Sequence, residues 1–474
     1  MTGNGAQHDD ANRQKLDRES LNSVHGHAKP IRPVRVALTA FLLAAAVALV
    51  PLALDWRSPL LAVVRPWAMI GLIVVPAVVI LAHAWILRSS PREHWWLRVL
   101  SAVGIVAAAT ASATTLALES RFHWVRYQVL HTDPAKLERV GRHLFVGYRD
   151  LEEVRDLVKL RGVAGVFVSA ANVQGKSISE IRRDIDSLQA IRKEQGLPRL
   201  WIATDQEGGI VSRLSPPLTR LPPLSAVVAS SPHVARQQQA IRKYALTQGR
   251  GLAGVGVNLN FAPVLDVNHK VMNPDDRFTR IHERAISGDP AVVAQVATWY
   301  CKALEETGVR CTLKHFPGLG RVFEDTHTDH AYLETSIAEL GKTDWVPFRR
   351  LMQETDSFTM LSHVKLKAID ADRPVSASPA VIAGLIRKQW NYNGVLITDN
   401  FTMMAIYRSS GGMEYASIQA LNAGVDLILV SWDVDQYYRV AYALLKADER
   451  GDLDRHALKL SEQRLAHAID ALRE

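Results

Sequence analysis

Cysteine is nearly absent from this chain: Cys301 and Cys311 are the two in 474 residues. A disulfide framework of the kind that staples small domains is excluded, and so is a cysteine-rich zinc site. The pair flanks a helix-to-strand connection, where two small buried thiols are the expected state. Histidine supplies no ligand pattern either; His327 and His330 stand three apart in a loop context, and we expect no metal and no cofactor. Internal repeats are missing, as is any recognisable nucleic-acid module. The net charge of +8 and pI near 9.4 would otherwise point to nucleic acid, but part of the basic excess flanks apolar segments, where it sets topology, so no nucleic-acid partner is expected.

Charge itself is missing from three stretches, roughly 36–54, 67–87 and 99–118. Each is near the length that crosses a hydrocarbon core, and Trp56, Trp67, Trp85, Trp95 and Trp96 stand near their ends, where indoles favour the interface. The third is the least apolar, and a buried or surface-lying helix is the competing reading for it. Arg13, Lys15, Arg18, Lys29, Arg32 and Arg35 precede the first stretch, only Arg57 and Arg65 lie in the first loop, and Arg88, Arg92 and Arg98 lie in the second. This bias puts the N-terminus and second loop in the cytoplasm and exports everything after about residue 120. The expected organisation is a disordered cytoplasmic segment 1–34, a membrane region 35–119 and a catalytic domain 120–474, giving a multi-pass membrane protein in contact with lipid.

Beyond residue 120, strand signals near 143–147, 163–168, 200–204, 257–264, 310–314, 357–361, 394–398 and 425–430 alternate with helical patterns. The fold class is α/β, a (β/α)8 barrel, with irregular or missing first elements allowed for and a closing helix from about Leu453 to Arg473. Several strands hand polar residues to a loop rich in Gly, Pro or Asn. Leu200–Thr204 runs into Asp205-Gln206-Glu207-Gly208-Gly209; Val309–Leu313 runs into Lys314-His315-Phe316-Pro317-Gly318 and on to Asp325-Thr326-His327; Gly394–Thr398 ends in Asp399-Asn400. A parallel barrel converges such groups on one face, where barrel enzymes keep their chemistry.

In order along the chain stand DQEGG at 205–209, FAPVLDVN at 261–268, IHERAIS at 281–287, KHFPGLG at 314–320, DTH at 325–327, LSHV at 361–364 and ITDN at 397–400. Together these make residues 140 to 470 resemble the family 3 glycoside hydrolases, in particular single-barrel β-N-acetylhexosaminidases that trim cell-wall muropeptides. The resemblance implies a retaining hydrolase that removes terminal N-acetylglucosamine through a glycosyl-enzyme intermediate. It assigns Asp399 as nucleophile and Asp325 with His327 as the acid/base dyad, and it gives Asp205, Arg284, Lys314 and His315 the sugar's hydroxyls and 2-acetamido group.

Residue chemistry agrees. An aspartate at a strand tip is rigidly aimed and ionised at neutral pH, and an imidazole, with an unperturbed pKa about 6.5, both gives and takes a proton there. On residues alone, Asp399 is equally a helix N-cap. Glu207 and Arg213 read as a loop-stabilising pair, Asp266 and Asn268 as braces, and His363 as either a pocket or a core residue. Two positions depart from the family pattern: Leu319 replaces a second histidine, and Asn400 stands where Asp or Ala is common. Two other functions stay open, a phosphorylase in which phosphate replaces water, and a silent membrane-anchored sugar-binding module.

Overall fold

The computed structural model describes residues 33–472, which fall into two compact units, one ending at Ser120 and the other beginning at Arg121. The expected disordered segment lies, up to residue 32, outside the described residues. The first unit contains helices α1 (Pro33–Leu54) and α2 (Arg65–Ser89) and most of α3 (Trp95–Leu130). Among the described residues, three helices are thus long and apolar enough to cross a membrane. They meet through Leu42, Ala46, Val79, Ile86 and Ala108, with small residues letting backbones approach. Gly104 is obligatory here, because a Cβ would lie 2.2 Å from the His83 ring.

The third helix runs twelve residues past the expected end at 118. Phe122, Val125 and Val129 recur at helical spacing and are buried in the core of the second unit. Phe122 meets Tyr438 edge to face at 6.2 Å, and the Arg126 guanidinium lies 5.3 Å from the same ring.

The second unit is a closed parallel barrel in which every strand pairs with its sequence neighbours and the last pairs with the first. Its strands are β1 (Leu144–Gly147), β2 (Gly165–Phe167), β3 (Trp201–Thr204), β4 (Leu259–Asn260), β5 (Arg310–Phe316), β6 (Phe358–Leu361), β7 (Leu396–Asn400) and β8 (Leu427–Val430). All eight anticipated strands are present, and the first elements are neither missing nor irregular.

Strand alternation splits the core in two. Phe145, Phe167, Trp201, Ala203, Phe358, Met360, Ile397, Leu427 and Leu429 fill the barrel interior, while Leu144, Val146, Val166, Ile202, Leu313, Leu396, Ile428 and Val430 face the surrounding helices. The same parity aims the mouth. Ala203 points inward, so Asp205 does; Leu313 points outward, so Lys314 points in; Ile397 points inward, and Asp399 follows it.

Helices α4 (Pro134–Gly141), α5 (Leu151–Lys159), α6 (Ile178–Glu194), α7 (Val234–Gly254), α8 (Pro290–Glu305), α9 (Trp345–Glu354), α10 (Ala380–Gln389), α11 (Gly412–Ala423), α12 (Asp435–Arg450) and α13 (Arg455–Asp470) pack outside or below. Their starts carry local signals: Asp133 and Asp289 cap helices that open on proline, and Ser177 with Glu180 forms a capping box. As expected of the closing helix, α13 seals the bottom, with Ile469 entering the interior cluster.

The cysteines correct our expectation of two thiols. The end of α8 and the start of β5 bring Cys301 and Cys311 to a Cα separation of 5.7 Å, within bonding range, and they form a disulfide.

Below β8, Asp426 is fully buried and accepts from Arg387 at 2.8 Å, from Arg464 of α13 at 2.8 Å and from the Leu396 amide at 2.7 Å. One carboxylate thus joins three elements, and its loss strands two buried guanidinium groups. We predict that Asp426→Ala destabilises the protein by about 3–5 kcal/mol, read as a lowered thermal midpoint of the full chain in detergent. An unchanged midpoint would show that the bottom of the barrel does not depend on this carboxylate.

Candidate active site

The mouth of the barrel is built on buried charge. Lys314, at the end of β5, is 2% exposed, and its Nζ lies 2.6 Å from both Asp205 Oδ1 and Glu207 Oε1. Arg284, from the helical turn Ile281–Arg284, grips Glu207 with two parallel bonds, Nε to Oε2 at 2.9 Å and Nη2 to Oε1 at 2.7 Å. Burial opposes ionisation of Glu207, but the facing Arg284 and Lys314 charges outweigh it and hold its carboxyl far below the usual range. Glu207 therefore does not pair with Arg213, as the sequence led us to expect. Its side chain lies inside the mouth and requires buried cationic partners, whereas Arg213 is exposed on the far side of a short hairpin.

His315 follows Lys314 across a cis peptide. Its Nδ1 lies 2.7 Å from Asp266 Oδ2, and Asp266 also accepts from the amides of His315 at 3.2 Å and Leu319 at 2.6 Å. Asp266 is thus a brace, as expected. With Nδ1–H given to Asp266, the Nε2 lone pair faces Arg284 Nη2 at 3.4 Å. Leu319, in the place of the second histidine, is 5% exposed, packs into the core and holds the loop root through its backbone.

Asp399 stands near the tip of β7 and caps no helix. Its Oδ1 accepts from the next amide, Asn400, at 2.7 Å, while the helical turn Met404–Tyr407 begins beyond Met403. Burial disfavours the Asp399 charge, yet the imidazoles of His315, His363 and His327 around it prevail and lower its pKa below the ordinary value. His363 is a buried residue beside it, with Nδ1 2.8 Å from Ser376 Oγ and Nε2 3.0 Å from the Asn400 carbonyl oxygen. Desolvation lowers the pKa of this histidine and favours its neutral form. The departure at Asn400 has a structural use: its side-chain oxygen accepts from Thr402 N at 3.2 Å and Ser431 N at 3.1 Å, joining the loops after β7 and β8.

The Asp325–His327 pair sits on the loop after β5. Asp325 Oδ1 receives three groups: His327 Nδ1 at 2.7 Å, His327 N at 2.9 Å and the Thr279 hydroxyl at 2.9 Å. This leaves Nε2 as the ring atom free to face a ligand, on a side chain 42% exposed. The loop is pinned from two directions, by Met404 N to His327 O at 3.2 Å and Ala405 N to Thr326 O at 3.3 Å, and by Asn273 Nδ2 to Phe323 O at 3.1 Å. Thr279 and Asn273 were not singled out in the sequence, since nothing in 269–280 marks it as part of the site. Only the proximity created by the barrel reveals them.

Six of the seven anticipated site residues are therefore joined by direct contacts, and the seventh, Asp399, lies within electrostatic reach of them. Direct contacts run from Asp205 through Lys314, Glu207 and Arg284 to His315, and from Arg284 by way of Thr279 to Asp325 and His327; Asp399 stands apart from these bonds, within reach of the charges of His315 and His327. Such a mouth offers ionised oxygens, fixed cations and an oriented imidazole within the span of a small polar ligand. Among the described residues, no group of three or more His, Cys, Asp or Glu is placed to hold a metal ion.

Burial alone would raise the Asp325 pKa, but the hydrogen bonds and charge of His327 and the Thr279 hydroxyl bring it from 3.8 to about 2. Because the folded value is depressed, the stabilisation is present above about pH 4 and is lost as pH falls through about 2. We predict that the stability gap between wild type and Asp325→Asn, measured by thermal melting at a series of pH values, narrows between about pH 4 and pH 2. A gap that stays constant would contradict the pairing.

Residues 134–468 match the family model described as the glycosyl hydrolase family 3 N-terminal domain. The chain is 34% identical over 283 residues to a β-hexosaminidase of Stenotrophomonas maltophilia, an alignment covering 58% of this chain and 78% of that protein. In structure it resembles a family 3 β-N-acetylglucosaminidase from Paenibacillus, with a TM-score of 0.65 and 30% identity; 71% of this chain and 62% of that one are covered. A family 3 glycosyl hydrolase from Mycobacterium smegmatis superposes with a TM-score of 0.62 at 28% identity, covering 72% of this chain and 98% of that one. With its barrel, its mouth and these likenesses taken together, the chain belongs to family 3 of the glycoside hydrolases, on the β-N-acetylhexosaminidase branch.

Proposed function

We propose that this enzyme removes terminal N-acetylglucosamine from cell-wall-derived glycans or muropeptides with retention of anomeric configuration. The observation that supports this reading is that the turn following Asp399 holds the dyad loop, Met404 N to His327 O at 3.2 Å and Ala405 N to Thr326 O at 3.3 Å, which brings His327 to the strand tip that carries Asp399. Retention requires a nucleophile on one side of the anomeric carbon and a proton donor near the leaving oxygen. Asp399, kept ionised and aimed by β7, attacks the anomeric carbon. His327 gives its Nε2 proton to the departing oxygen and then takes one from water as the glycosyl-enzyme is hydrolysed. Asp325 holds Nδ1–H, fixes the ring's orientation and stabilises the imidazolium.

The sugar is held by the charge network. Asp205 is the member that reaches solvent, with a side chain 23% exposed, so its carboxylate accepts from sugar hydroxyls while Lys314 donates. Arg284 and His315 complete the wall, and Glu207, spent on two cations, keeps them in register. Asp399→Ala is expected to cut kcat by about a thousandfold or more without loss of fold. In kcat/KM, which reports the first step, His327→Ala should slow glycosides with poor leaving groups by about 10²–10⁴-fold and spare activated aryl glycosides, whose departure needs no proton. Equal losses of kcat/KM on both substrate types would remove His327 from the acid role.

The three apolar helices support the reading of a multi-pass membrane enzyme whose barrel, from about residue 120 onward, lies on the extracytoplasmic side. The basic residues around 13–35 and 88–98 support that orientation. Protease added to spheroplasts of an expressing bacterium should degrade the barrel, and a barrel protected until the membrane is permeabilised would reverse the topology.

A further inference from the structure

Phe278 is a large apolar side chain left 59% exposed, yet it stands on a rigid support. The Asp276 carboxylate accepts from the amides of Phe278 at 3.2 Å, Thr279 at 2.9 Å and Arg280 at 2.7 Å, which locks the turn. The next residue, Thr279, is tied to the site twice, by its hydroxyl to Asp325 and by its carbonyl, which accepts from Arg284 Nη1 at 2.7 Å. The Phe278 ring itself lies 5.7 Å from the His327 ring, tilted by 33°. An apolar ring held this firmly in water, beside a proton donor, calls for a partner.

We propose that Phe278 is the platform of the leaving-group subsite, stacking on the apolar C–H face of the pyranose that departs. The inference rests on the acid/base reading of His327. The leaving oxygen must sit at His327 Nε2, and the sugar being transferred lies toward Asp399, Asp205 and Lys314. What borders His327 on its exposed side therefore meets the aglycone. A pyranose offers a flat C–H face to an aromatic ring, and a fixed ring loses little freedom on binding it. Phe323, 58% exposed on the dyad loop, is tied by its carbonyl to Asn273 of the Phe278 loop, which joins the two loops.

The test compares two substrates that both need a proton but differ in having a ring to stack: the β-1,4-linked disaccharide of N-acetylglucosamine and methyl β-N-acetylglucosaminide. The ratio of kcat/KM, disaccharide over methyl glycoside, should fall about tenfold in Phe278→Ala and be retained in Phe278→Tyr. An unchanged ratio in Phe278→Ala, or a ratio lost equally in both variants, overturns the platform. Should the ratio hold while both rates fall together, the ring acts on His327 and not on the leaving sugar, which also overturns it. Wild-type protein that hydrolyses neither glycoside overturns the underlying functional reading, a result distinct from these.

Discussion

Compensation of buried charge is the constraint on which the rest of this structure depends. A carboxylate or ammonium taken out of water is tolerated only when it is paired and hydrogen-bonded. At the barrel mouth, Lys314 is shared between Asp205 and Glu207, Arg284 grips Glu207, and Asp266 secures His315. At the opposite end, Asp426 gathers Arg387 and Arg464. The upper network has a purpose the lower one lacks, since its outermost member, Asp205, is open to a ligand. A sugar entering there meets groups already oriented, so little reorganisation is needed on binding.

The same electrostatics separate the roles of the two aspartates. Asp325 Oδ1 takes three donors, the His327 ring, the His327 amide and the Thr279 hydroxyl, so that oxygen is committed to holding the ring. Asp399 is surrounded by three imidazoles but bonded locally only to its neighbour's amide, so its charge is favoured while its carboxylate remains available. Both are held in the ionised form, and the proposed mechanism gives the nucleophile's part to Asp399. The dyad loop, pinned by the turn after β7 and by the 269–280 segment, carries its histidine with few free hinges.

Much of this was legible in the sequence because strand parity is simple. Apolar runs ending in Asp205, Lys314 and Asp399 placed those residues at strand tips, and a closed barrel could only bring them together. What escaped was set by three-dimensional proximity. Glu207 found Arg284, 77 residues away, and not the nearby Arg213; Thr279 and Phe278 acquired a place beside the dyad through a loop with no motif of its own. The disulfide was missed for the same reason, since ten residues between two cysteines say nothing about whether a helix end and a strand start face each other. The third apolar helix was cut short because hydropathy fades at Glu119, although Phe122, Val125 and Val129 continue its buried face.

The central claim is that Asp399 forms a covalent bond to the sugar while His327 manages the proton. A slow N-acetylglucosaminyl fluoride bearing a second fluorine at C5 would accumulate the intermediate, because fluoride leaves without a proton and the ring fluorine retards hydrolysis. Peptide mass spectrometry of the trapped enzyme should find the glycosyl group on Asp399. A label on another residue, or complete turnover of the reagent to an inverted sugar with no protein adduct, would contradict the account.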